Sequence, residues 1–332
     1  MKNKASKIFI VVAFLTSLPI LYSCKENKKR TETVKETPAI PTPVFNEDSA
    51  YRFVESQVNF GPRVPNTAAH VKCGDYLISE LKRNGAKVSV QEFEAKAWDG
   101  KLLRLRNIIG SYNENAPKRL LYAAHWDTRP FADKDSVRQD VPIDGANDGA
   151  SGVGILLEIA RTMHLANKPS VGLDIIFFDG EDYGELNNSS YRNGENNWCL
   201  GSQYWAKNKH IPQYNAYYGI LLDMVGAANA RFALEGTSMQ YAPNVMKEVW
   251  QTASRLGYSS HFVFEEVSGI TDDHTYINQI AKIPMLDIIE RSNSDVNPFG
   301  SYHHTHKDNM SIIDKKTLKA VGHTILEVLY KE

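Results

Sequence analysis

Acidic residues and histidines gather in short segments that could do chemistry: His125-Trp126-Asp127, Asp148 inside Gly145-Ala146-Asn147-Asp148-Gly149, Asp179-Gly180-Glu181-Asp182, Asp223, and His303-His304-Thr305-His306. Carboxylate oxygens and imidazole nitrogens are zinc donors, and a catalytic zinc keeps one coordination position open. Asp148, Asp182 and His304 would supply three ligands. Glu181, next to one of them, is placed to move protons. Taken singly, each has a plainer reading: Asp148 as a helix cap, Glu181-Asp182 as a solvated turn, the histidines as surface. Their joint occurrence after successive apolar runs favours a metal site.

Those runs are the elements that must position the site. Lys87 to Phe93 alternates, and Leu103 to Ile109 and Leu120 to Ala124 are apolar runs flanked by charge, as strands are. Leu173 to Phe178, Tyr218 to Val225 and Ile283 to Ile289 are continuous apolar runs, the pattern of strands covered on both faces. Helical spacing occurs over Ser49 to Val58, Ala68 to Lys82, Ser151 to Leu165, Asn244 to Leu256 and Lys316 to Leu329. In Ser151 to Leu165 the apolar residues form one stripe. The expected fold is α/β, a three-layer α/β/α sandwich around a central mixed, mostly parallel sheet. Groups at the carboxyl ends of its strands should converge.

From about Asp48 onward, these residues resemble the zinc peptidases of leucyl aminopeptidase type, family M28, and within them the glutaminyl cyclases. The peptidases bind two zinc ions with five ligands, matched here by His125, Asp148, Asp182, Asp223 and His304. Glu181-Asp182 is similar to the family's base followed by a ligand. The ligand is often Glu, and Asp is a departure that the bacterial cyclases share. Asp272-Asp273-His274 resembles the cyclases, where peptidases tend to carry Ser-Asp-His. The segment Phe299 to Thr305 resembles the cyclase stretch that lines the pocket and carries the last ligand, with His303 in place of the usual Trp. The runs Ala124 to Pro130, Asp144 to Gly152 and Trp198 to Asn208 resemble the Bacteroidetes cyclases.

The resemblance implies one zinc ion on Asp148, Asp182 and His304. It implies Glu181 as general base and acid, with Asp223 and Asp272 holding the substrate amine and sharing a proton. Around them it implies His125, Asp127, Ile270, His274, Phe299 and His303 as pocket or supporting residues. Asp127 would orient His125, and His274 would brace Asp272 or an active-site loop. Trp126, Trp198, Trp205 and Trp250 are expected to be packing residues, and His70, His164, His210, His261 and His323 show no partner pattern. The implied substrate is a peptide or protein with N-terminal glutamine, and the chain is expected to be a monomer.

The 332 residues carry 38 basic and 39 acidic side chains, a net charge of −1, so no global field points to nucleic acid. Lys2, Lys4 and Lys7 followed by the apolar run Ile8 to Leu21 and Tyr22-Ser23-Cys24 read as a lipoprotein-type signal over residues 1–24. An ordinary secretory signal and an uncleaved anchor are the alternatives. All place the domain outside the cytoplasm, in the periplasm or cell envelope of a bacterium, with the lipid anchor holding it to a membrane. Residues 25–46 read as a disordered tether, and 47–332 as the catalytic domain. Cys73 and Cys199 are left as one bridge or two buried thiols. Two rival functions stand beside the cyclase: a two-zinc aminopeptidase in which Glu181 activates water, and a catalytically dead lipoprotein whose site shapes a binding surface.

Overall fold

Alternation along the central strands makes the chain three-layered. In β3 (Arg119–His125), Leu120, Tyr122 and Ala124 join one buried cluster while Leu121 and Ala123 join another on the opposite face, as the pleat requires. The computed structural model describes residues 40–186, 197–292, 294 and 298–332. The strands β1 (Lys87–Lys96), β2 (Leu102–Tyr112), β4 (Gly172–Phe178), β5 (Tyr218–Asp223) and β8 (Met285–Ile289) surround β3 in the order β1-β2-β4-β3-β5-β8. Parallel pairing joins β4 to β3, β3 to β5 and β5 to β8, whereas β1 and β2 pair antiparallel at one edge. The sheet is mixed and mostly parallel, as expected.

One face is covered by α1 (Glu47–Val58), α2 (Ala68–Arg83), α3 (Ala150–Leu165), α6 (Pro243–Arg255) and α8 (Lys315–Lys331), which contribute Val54, Leu77, Leu156, Trp250 and Leu326 to the larger cluster. The other face is covered by α4 (Leu200–Lys207) and a π-helical turn (Ile277–Ala281), through Trp205 and Ile277 packed with Phe178 and Leu221. A second parallel pair, β6 (Phe232–Glu235) and β7 (Phe262–Val267), with α5 (Gly236–Tyr241) and α7 (Asp273–Tyr276), completes the described elements that bear on the site.

Two expectations need correction. The stripe on α3 is a helix buried on nearly every face, because it lies between the sheet and α1 and α8. At Gly154 a Cβ would stand 2.6 Å from Val54 Cγ2, so only glycine admits α1 this closely. The end of the supposed tether is also packed. Phe45 is buried against Gly322 of α8, and the Asn46 side chain accepts from Ser49 N at 2.8 Å, capping α1. The remainder of the tether, 25–39, and the signal segment 1–24 lie outside the described residues. Cys73 and Cys199 are buried, unpaired thiols.

Candidate active site

The parallel strands end together, and their last residues deliver the chemistry. His125 ends β3 and Asp223 ends β5, while Glu181-Asp182 follows β4 in a turn. That turn is fixed by Asp127, whose two carboxylate oxygens accept Glu181 N at 3.0 Å and Asp182 N at 3.1 Å. Its distance to His125 Nδ1 is 3.5 Å. The principal task of Asp127 is therefore to hold the turn, and orienting His125 is secondary. Asp308 does the same for the loop before α3, accepting Asn147 N at 2.7 Å and Asp148 N at 3.1 Å. Gly149 must be glycine, with φ +98° and a virtual Cβ 2.7 Å from His125 Cε1.

Asp148, Asp182 and His304 come together. His304 Nε2 is 3.2 Å from Asp182 Oδ1 and 3.7 Å from Asp148 Oδ2, while Asp148 Oδ1 is 3.0 Å from His125 Nε2. Both oxygens of Asp182 are buried and accept no hydrogen bond among the described residues. Arg129 Nη1 stands 3.7 Å from Oδ1, and a carboxylate buried without hydrogen bonds remains costly unless further positive charge accompanies it. Two carboxylates and an imidazole suit zinc, so the residues fit the metal that the motifs imply. Asp182 stands behind the cavity wall, and Asp148 and His304 line the cavity. The groupings here whose donor atoms all lie within 4.8 Å of one another are His125 with Asp148 and Asp223, and Asp148 with His303 and His304; Asp182 joins through its 3.2 Å approach to His304.

The cavity measures about 310 Å³. Glu181, Asp223, Asp272, Ile270, Phe299 and His303 all line it. Lys134 Nζ donates to His303 Nδ1 at 2.7 Å, and the Phe299 ring meets the imidazole edge-on at 4.8 Å. Burial, then the neighbouring His304, pushes the His303 pKa well down, so the ring is neutral. Trp198, expected to be packing, lines the cavity instead. It stacks on His304 at 6.0 Å, with the Arg129 guanidinium 4.6 Å from its ring centre. Trp126, Trp205 and Trp250 are fully buried.

Carboxyl groups dominate the other wall. Desolvation pushes the Glu181 pKa well up, and Asp182, Asp272 and Asp273 add repulsion against relief from His125. Burial raises Asp223 to about 7, with hydrogen bonding to His125 opposing and Asp148 and Asp272 reinforcing. Asp272 caps α7. Behind it His274 stands 3.2 Å from Glu235 Oε2 and 3.8 Å from Asp287 Oδ2, all fully buried. His274 does not line the cavity, and its ring lies in one cluster with Asp272 and Asp287, their polar atoms within 4.8 Å of one another.

Asp287, Glu235, Cys199, Arg129 and Asp133 escaped the sequence reading. Only Asp287 had a local signal, a lone acid inside an apolar strand run. His70, given no partner from sequence, pairs with Asp179 at 2.9 Å just before the Glu181 turn.

Residues 107–329 match the model of Peptidase family M28. A solved glutaminyl cyclase from Bacteroides thetaiotaomicron, bound to N-acetylhistamine, is 52% identical with a TM-score of 0.85, covering 88% of this chain and 100% of that one. A Zn-dependent exopeptidase from Parabacteroides distasonis is also 52% identical, with a TM-score of 0.86 and the same coverage, 88% and 100%. The glutaminyl-peptide cyclotransferase of Dictyostelium discoideum is 24% identical over 77% of each chain.

Proposed function

The chain belongs to peptidase family M28, and from that premise we propose that it is a glutaminyl-peptide cyclotransferase, converting N-terminal glutamine of peptides into pyroglutamate and ammonia. The observation that carries the reading is the carboxyl wall. Glu181, Asp223 and Asp272 face the cavity together, and a substrate ammonium or shared protons would relieve their repulsion.

The α-amine nitrogen attacks the γ-carbonyl carbon of the glutamine side chain, and the new C–N bond closes the ring. Glu181 takes the proton that the amine loses and returns it to the side-chain nitrogen, which departs as ammonia. A carboxyl with a raised pKa is suited to both directions of transfer. Asp223 and Asp272 hold the amine through hydrogen bonds. Asp148, Asp182 and His304 would hold one zinc ion, which when bound supplies a Lewis acid for the γ-carbonyl oxygen. Ile270, Phe299, Trp198 and neutral His303 enclose the side chain and exclude water.

Mass spectrometry of a Gln-peptide incubated with the purified protein should show loss of one ammonia. Hydrolysis of a Leu-arylamide without that loss would instead favour the two-zinc aminopeptidase. The approach of His125, Asp148 and Asp223 is what favours that second reading.

We further propose that the domain is lipid-anchored at Cys24 outside the cytoplasm, a reading supported by Lys2 to Cys24 alone. No helix among the described residues is long and apolar enough to cross a membrane. Cys24→Ala should release the protein from the membrane fraction. Unchanged membrane retention and mature mass would refute the anchor.

A further inference from the structure

Glu181 can serve both proton transfers only if its carboxylate is held still, and Cys199 touches that carboxylate. The Cys199 backbone N–H donates to Glu181 O at 2.9 Å, and Leu200 N–H donates to Gly180 O at 3.1 Å. Cys199 Sγ also donates to Glu181 Oε1 at 3.3 Å. The thiol is fully buried, and it shares a cluster with Glu181 and Asp272 in which the polar atoms lie within 4.8 Å of one another. Cys199 takes a left-handed backbone, φ +57°, immediately before α4, which turns the chain so that amide and thiol reach the same residue.

Resting on the cyclase reading above, we infer that Cys199 is a positioning residue for the reaction. Its thiol holds Glu181 Oε1, leaving Oε2 to exchange protons with the substrate. Burial, then the charge of Glu181, Asp273 and Asp272, raises the thiol pKa well up, so the group stays S–H and acts as a donor. The neighbouring Trp198 ring lies on His304. Adjacent side chains of one short segment thereby contact the base and a candidate metal ligand.

The test uses the whole domain with its metal loaded and a Gln-peptide, with Cys199→Ala, Cys199→Gly and Cys199→Ser measured beside wild type. Glycine removes the donor while accepting the left-handed backbone; serine keeps a donor. Loss of one hydrogen bond should lower kcat roughly three- to tenfold in the Ala and Gly variants. KM and zinc content should stay unchanged, and Ser should return kcat to within about twofold of wild type, the retained hydroxyl replacing the thiol as donor. Wild-type kcat in Cys199→Gly would overturn the role. So would equal losses in all three variants accompanied by lost zinc, which would mark a merely structural residue. Wild-type protein that fails to cyclise the peptide refutes the proposed reaction itself and takes the role of Cys199 down with it.

Discussion

The two walls of the cavity differ in how many cations stand among their acids. On the side of Asp148, Asp182 and His304 cations stand among the acids: Asp133 accepts Arg129 Nε at 2.6 Å and lies 3.4 Å from His304 Nδ1, and Arg129 Nη1 stands 3.7 Å from Asp182, whose pKa burial and Asp148 nonetheless raise. On the side of Glu181, Asp223 and Asp272 the acids face one another with His125 Nε2, 3.2 Å from Asp223 Oδ1, as the nearby imidazole, and they are backed by Asp273 and Asp287, whose oxygens accept no hydrogen bond among the described residues. A carboxylate near cations can stay ionised and ligate a metal; one facing other carboxylates must hold a proton or an ammonium. The same residue type therefore carries opposite tasks about one cavity.

Breaking the first wall should have the largest effect. Asp148→Ala or His304→Ala is expected to abolish both zinc retention and ammonia release, checked by metal analysis and a coupled ammonia assay. Breaking the base should separate these readouts. Glu181→Gln keeps the shape and should keep zinc, yet lose about 100- to 10,000-fold in turnover. Near wild-type turnover in that variant would sink the proton-transfer role.

Asp272→Asn probes the carboxyl wall more gently. The amide keeps a hydrogen-bonding oxygen but loses the charge that holds the amine, so a loss of roughly 10- to 100-fold with zinc intact is expected. A variant that loses zinc would move Asp272 to the metal wall.

Much of this division was legible from sequence, for a physical reason. Buried parallel strands write continuous apolar runs, and an acid or histidine where a run stops marks a strand's carboxyl end, which is how His125, Glu181, Asp182 and Asp223 stood out. Asp148 and His304 lie in loops, and their donor chemistry and their occurrence beside the strand-end acids mark them as ligands, a reading to which the family resemblance adds. The supporting contacts left no such trace. Cys199 meets Glu181 across 18 positions and His70 meets Asp179 across 109, so neither pairing has a local period. Trp198 looked like packing because its sequence neighbours do not show that its ring lies on His304. The all-round burial of α3 was equally invisible, since it depends on what α1 and α8 place against it.

Acidity should reveal the smallest contrast. Burial raises Asp223 above its unfolded value, to about 7, so its contribution to stability is full below the unfolded pKa and is lost as pH rises toward 7. Asp133 is the reverse: despite its burial, His304 and Arg129 hold it low, so its contribution is present above the unfolded pKa and is lost as pH falls. In zinc-stripped protein, Asp223→Asn should flatten the fall in melting temperature between about pH 4 and 7. Asp133→Asn should leave that slope and lower stability near neutrality. Identical pH profiles for the two variants would erase the contrast.

The division itself is tested most directly by counting zinc per chain, by elemental mass spectrometry, in wild-type protein and in Asp223→Asn. One zinc in each is expected, since Asp223 belongs to the amine-binding wall. Two in the wild type, falling to one in Asp223→Asn, would contradict the account and make that wall a second metal site.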